Sequence, residues 1–167
     1  GRAPLGGELD VVQSGPYAQG YGWRAGNPSA LTFGGGTGYK NWPRVEDGAM
    51  ALSPQWATDA QRDAFLAWWT NTAGPKLGLL CWSASHAPYN KPPGYLLGQT
   101  TREKYEHLVQ SMDDQLGVVL AAVDLGTTFV AWIGDNGTPP DARPIGTPDQ
   151  VWKFTTYEGG IRVPLVI

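Results

Sequence analysis

The sequence predicts an α/β fold, with a mixed, mainly parallel sheet flanked by helices, and three observations carry that expectation. Residues 58–69 and 100–123 each combine a helix-start signal with helical spacing of apolar side chains. Each is followed by a short apolar run of strand length, residues 77–83 and 128–133, and a third such run occupies 163–167. Helices and strands alternating in this order imply parallel pairing of the two central strands through a right-handed crossover.

Composition bounds the reading. At 167 residues and 41% hydrophobic, the chain can bury one sizeable core, so one domain or part of one is expected. Twelve basic against 15 acidic residues leave a net charge of -3 with no basic run, which gives nucleic acid no electrostatic footprint. The apolar runs fall far short of the roughly 18 residues of a membrane span, and no charged-then-apolar start reads as a signal peptide. The chain opens on Gly1 rather than Met and its last apolar run stops at Ile167 without a turn, so both ends are expected to be cuts within a longer protein. Compartment is therefore left open. Cys81 stands alone, which excludes an internal disulfide and any multi-cysteine zinc site.

Residues 1–56 hold about half of the 23 glycines and little apolar periodicity, and read as a long irregular excursion before an α/β portion at 57–167. Gly20-Tyr21-Gly22-Trp23-Arg24-Ala25 matches a dinucleotide turn in spacing, but no apolar strand precedes it. The glycines from Gly34 to Lys40 lack phosphate-loop spacing, and Pro28 spoils the acceptor pattern at Asn27-Pro28-Ser29. Thr58-Asp59-Ala60-Gln61 has the form of a capping box opening the first helix, in which Phe65 and Trp69 fall one turn apart. Gly74-Pro75 breaks the chain before the apolar run 77–83, which contains Cys81 and ends near His86. Thr100-Thr101-Arg102-Glu103 is a second capping box. Behind it Tyr105, Leu108, Val109, Met112, Leu116, Val119, Leu120 and Val123 form an apolar stripe over about five turns. His107 falls off that stripe and is expected at the surface, and Asp124-Leu125-Gly126 stops the helix.

Two positions could carry chemistry. His86 lies just past one predicted strand and Asp135-Asn136 just past the next, so parallel strands would bring them out at one carboxyl edge, where open α/β sheets bind ligands. The oxygens of Asp135 and Asn136 suit Ca²⁺ or Mg²⁺ better than zinc. Asp135-Asn136-Gly137 read alone favours a turn over a metal site, since all three residues tolerate positive φ.

Four ordered motifs then give a resemblance. Ser85-His86-Ala87-Pro88 with Pro92-Pro93, Tyr105 through Met112-Asp113 to Gly117, Asp135-Asn136-Gly137, and Lys153 with Tyr157-Glu158-Gly159-Gly160-Ile161-Arg162-Val163-Pro164 resemble the later part of the sulfatase catalytic domain. That family belongs to the alkaline-phosphatase-like superfamily, and the motifs run over residues 57–167. The resemblance implies an alkaline-phosphatase-like sandwich, of which this chain would be one part. It implies Asp135 and Asn136 as ligands of a divalent metal, usually Ca²⁺, with Mg²⁺ as the alternative. Lys153 would bind sulfate oxygens, and His86 would contact sulfate and help protonate the leaving oxygen. Asp113 would serve packing or hydrogen bonding, and Gly159-Gly160 would allow close backbone approach. Ser85 replaces the proline that the family usually carries before its histidine.

The family's nucleophile, a formylglycine made from a Cys/Ser-x-Pro/Ala-x-Arg segment, has no counterpart among these residues. Cys81-Trp82-Ser83-Ala84-Ser85 lacks both the Pro/Ala and the Arg, and Cys81 is expected to be an inert, buried thiol. The resemblance thus implies a sulfuric ester hydrolase whose nucleophile lies outside these residues and a chain inactive alone. Its substrate would be a sulfate ester, aryl sulfate or sulfated glycan, and a periplasmic or secreted parent is compatible with it. Two other readings stay open. One is a phosphodiesterase or phosphonate monoester hydrolase of the same superfamily; the other is a non-catalytic, Ca²⁺-dependent module binding sulfated glycans through its eight tryptophans.

Overall fold

The structure, a computed structural model, describes residues 11–13, 39–40, 42–46, 49–143, 146, 148 and 152–167. The motif lookalikes at Gly20–Ala25 and Gly34–Gly38, and Asn27-Pro28-Ser29, lie outside them. Helix and strand are mixed as expected, but the described strands form three separate two-stranded sheets.

Strand β1 (Val11–Gln13) and the hairpin β2 (Trp42–Glu46) and β3 (Ala49–Ser53) lie in the segment predicted to be irregular. The hairpin pairs Trp42 with Ser53 and Glu46 with Ala49. Asp47-Gly48, between its strands, is a dipeptide that favours a two-residue hairpin turn, a signal that the sequence reading did not use.

Helix α1 (Ala57–Asn71) forms where predicted, but its cap differs. Trp56 is the N-cap residue and supplies no side-chain bond; instead the Ala57 N–H donates to Tyr39 O at 3.0 Å. Ala57 and Ala60 pack into a cluster with Tyr39, Trp42, Trp56 and Leu108, which carries Thr58 and Gln61 into the interior, away from a solvent-facing capping box. Gln61 then turns outward from its own helix. Its Nε2 donates to Cys81 O (2.9 Å) and Ser83 Oγ (3.0 Å), and its Oε1 accepts from the Ser83 N–H (3.2 Å).

Helix α2 (Thr101–Ala122) realises its capping box: Thr100 Oγ1 accepts from the Glu103 N–H (3.1 Å), and Glu103 Oε2 accepts from the Thr100 N–H (3.0 Å). α1 and α2 pack together, their first halves around Leu108 and their second halves around Phe65, Val119 and Val123. The second cluster also takes in Trp68, Trp69, Leu80, Trp82 and Val130. Phe65 stacks on Trp69 with centroids 5.7 Å apart, so this aromatic pair belongs to the core.

The predicted parallel pairing of runs 77–83 and 128–133 does not form. Strand β4 (Leu79–Cys81) is parallel to β1, whereas β5 (Trp132–Ile133) pairs antiparallel with β6 (Leu165–Val166). Instead Leu80 and Trp82 from the first run and Val130 from the second pack against the same cluster of Phe65, Val119 and Val123. Residues 128–133 alternate half-buried and exposed, with Phe129 at 77% and Ile133 at 64% exposure. The run is thus half-buried rather than fully buried, and its backbone edge is taken by the chain returning through Pro164.

Candidate functional site

Two loops that are distant in sequence are stapled to each other at the end of β5. The Gly134 N–H donates to Pro164 O (3.1 Å), the Gly137 N–H to Gly160 O (3.0 Å), and the Lys153 N–H to Thr138 O (3.1 Å). Gly160 lies in the short helix α3 (Glu158–Ile161). No side chain fits at this crossing: a Cβ on Gly137 would overlap Gly159 O, and one on Gly160 would overlap Thr155 O. The close backbone packing expected of the Gly159-Gly160 pair is therefore present, and its other face is Gly137. Asp135-Asn136 thus sits on a loop fixed to the loop that carries Lys153.

Asp135 is exposed and turns one oxygen inward, Oδ1 accepting from the Asn136 N–H at 2.8 Å. Lys153 is half-buried, its ammonium 5.4 Å from the Phe154 ring centroid. Phe154 has a φ of 76°, unusual for a residue with a Cβ. That conformation is held between the Lys153 bond to Thr138 and a Thr155 N–H bond to Trp152 O (3.1 Å).

His86 lies in the segment leaving β4. Its N–H donates to Ser83 O (3.0 Å), and its exposed ring places Nδ1 2.9 Å from Ala87 O. The segment is gripped from outside. The Tyr39 hydroxyl lies 2.8 Å from both Ser83 O and His86 O, while the Tyr39 N–H donates to Asn90 Oδ1 (3.0 Å). Burial, followed by the nearby Tyr89 hydroxyl, pushes the Tyr39 pKa far above the usual phenol value, so it remains a donor. Tyr89 ties the same segment onward, its hydroxyl donating to Asp141 Oδ1 at 2.9 Å. Asp141 sits in the 3-10 turn Pro140–Ala142, which follows the Asp135-Asn136 loop. Burial first, and the Asp141 carboxylate second, raise the Tyr89 pKa as well.

The structure therefore joins Asp135, Asn136 and Lys153 through backbone bonds, and links the His86 segment to the same chain region through Tyr89 and Asp141. The shared sheet edge expected to unite His86 with Asp135-Asn136 is not formed, because β4 and β5 belong to different sheets. Tyr39, Gln61, Tyr89 and Asp141 had no motif to announce them: Gln61 read as a cap, and Tyr39 lay among glycines. Cys81, expected to be buried, is half-buried, and burial raises its thiol pKa. Asp113 is exposed. His107, expected at the surface, is half-buried with its ring 5.7 Å from that of Tyr95, because α2 is covered on this side by the segment before its cap. The seven described tryptophans are all buried or half-buried, and six of them sit at or beside the two apolar clusters or the Lys153 loop.

Asp135 and Asn136 offer hard oxygen donors, the chemistry that Ca²⁺ or Mg²⁺ requires. Among the described residues no group of three or more His, Cys, Asp or Glu side chains gathers, so these two supply only part of a shell that takes 6–8 oxygens for Ca²⁺. Among them, too, no helix is long and apolar enough to cross a membrane.

A family model described as Sulfatase matches residues 13–167. The match reaches back through the hairpin to Gln13, the last residue of β1, beyond the stretch that carries the four motifs. No curated protein and no solved structure matches the chain.

Proposed function

This chain belongs to the sulfatase family, and from that premise we propose that it contributes the sulfate-binding and part of the metal-binding half of a sulfuric ester hydrolase. In this reading residues 1–167 are part of one alkaline-phosphatase-like catalytic domain, with 57–167 its α/β portion. Asp135 and Asn136 are the chain's ligands for a divalent cation, Ca²⁺ or Mg²⁺. Such a cation, when bound, supplies positive charge beside the sulfate oxygens. Lys153 binds those oxygens through its ammonium, and His86 contacts the sulfate and donates a proton to the departing alkoxide or phenoxide. The nucleophile comes from outside these residues, since no Cys/Ser-x-Pro/Ala-x-Arg segment occurs among them. The chain alone accordingly turns over no sulfate ester.

One observation carries the reading: the Asp135-Asn136 loop and the Lys153 loop are held together by the Gly137–Gly160 and Lys153–Thr138 backbone bonds. Two groups that act on one anion need that kind of fixed relation. Titrating the ¹⁵N-labelled chain with sodium sulfate, against sodium chloride at equal ionic strength, tests it. Sulfate-dependent shifts are expected around Lys153 and at the His86 ring, and Lys153→Met is expected to remove them. A chain that shows no sulfate-specific shift, or a Lys153→Met variant that responds like the parent, sinks the proposal. Stronger shifts with inorganic phosphate at the same residues would move the reading to a phosphodiesterase or phosphonate monoester hydrolase.

A further inference from the structure

We infer that Tyr39 is a positioning residue for His86, clamping the 83–90 segment so that the imidazole is presented in one orientation. The inference rests on the reading of His86 as a sulfate contact, and adds to it the group that holds His86 in place. Tyr39 is fully buried, and its ring stacks on Trp56 with centroids 4.9 Å apart. It spans the segment at both ends: the single hydroxyl proton is shared between the carbonyls of Ser83 and His86, each 2.8 Å away, and the backbone N–H donates to Asn90 Oδ1. Its own carbonyl accepts from the Ala57 N–H, which anchors the clamp to the start of α1. The imidazole itself is exposed. The ring is held against this same backbone, Nδ1 lying 2.9 Å from Ala87 O, so a His86 carbonyl fixed by a buried donor bears directly on how the ring is presented. Core packing alone explains the stack on Trp56 but not the placing of the hydroxyl between two carbonyls of the histidine turn.

Tyr39→Phe in the full chain removes the hydroxyl and keeps the stack and the Asn90 bond. His86 and His107 are the chain's two histidines, so His107 serves as an internal reference. With the clamp lost, the His86 N–H is expected to exchange about tenfold faster, the effect of one net hydrogen bond. The His86 ring resonances should shift and broaden while those of His107 stay in place, and the His86 response to sodium sulfate should fall severalfold. If Tyr39→Phe lowers thermal stability yet leaves His86 exchange and ring resonances unchanged, the hydroxyl is a core bond only and the inference is overturned. Should that variant not fold, Asn90→Ala opens the other end of the clamp, and unchanged His86 signals there overturn it equally. A parent chain whose His86 ring ignores sulfate removes the sulfate reading of His86, while the exchange comparison still decides whether Tyr39 orients it.

Discussion

Gly137 and Phe154 are the residues at which the candidate site is most exactingly constrained, and both constraints are of the backbone. Gly137→Ala would drive a Cβ into Gly159 O, with backbone rather than a movable side chain in the way. We expect a loss of about 2 kcal/mol or more in urea unfolding, the scale of overpacking against rigid neighbours. The loss should be accompanied by loss of any sulfate response at Lys153, because the same crossing fixes both loops. Phe154 works in the opposite direction. Its side chain is 88% exposed and its φ is 76°, so it contributes little burial while occupying a conformation that favours glycine. Phe154→Gly is expected to raise stability by about 1 kcal/mol in the same unfolding experiment. Sequence reading named Gly159-Gly160 as a place of close approach. It did not name the partner, because a glycine shows that space is short without showing what occupies it.

At the scale of elements, α2 was legible almost residue by residue. Its apolar stripe and the Thr100–Glu103 box are local signals, and local signals act wherever the chain goes. The Glu103 carboxyl is held below its usual pKa, first by the Thr100 N–H and next by the Gln99 N–H. A lowered folded-state pKa adds stability that is present above the unfolded value of about 4.3 and is lost as pH falls through the folded value. Glu103→Gln should therefore unfold more readily than the parent at pH 7, with the gap closing as pH falls below about 4. Denaturant melts at several pH values check this. Thr100→Ala removes the other half of the box and should cost about 1 kcal/mol across that range. α1 was legible in its existence and not in its cap, because the box pattern at Thr58-Asp59-Ala60-Gln61 is buried. Among the described residues Thr58 Oγ1 has no hydrogen-bond partner, and both ends of the Gln61 amide reach the Cys81 and Ser83 region. Gln61→Leu is expected to cost about 2 kcal/mol, since it leaves a buried Ser83 N–H and carbonyl at Cys81 without this partner.

For the molecule as a whole, the sulfatase family match and the four ordered motifs agree, and the metal question gives the sharpest test. If Asp135 and Asn136 are the ligands proposed above, with no larger acidic group gathered among the described residues, they are too few to complete a Ca²⁺ shell, and calorimetry on this chain should give a Kd weaker than about 1 mM, the weak end of protein Ca²⁺ sites. Tight binding that survives Asp135→Ala would place the metal elsewhere. By itself the sequence determined the mixed helix and strand content, the span of α2 and the presence of a strand before His86, and it proposed Asp135, Asn136 and Lys153 for the candidate site. These follow from spacing and chemistry within a few residues of each position. Only the tertiary structure decided which strands pair, that β4 joins β1 and β5 joins β6, and that Tyr39 and Gln61 converge on the His86 turn. Those choices depend on contacts between segments far apart in the chain, and nothing in a residue's immediate neighbours encodes which distant carbonyl will meet its hydroxyl.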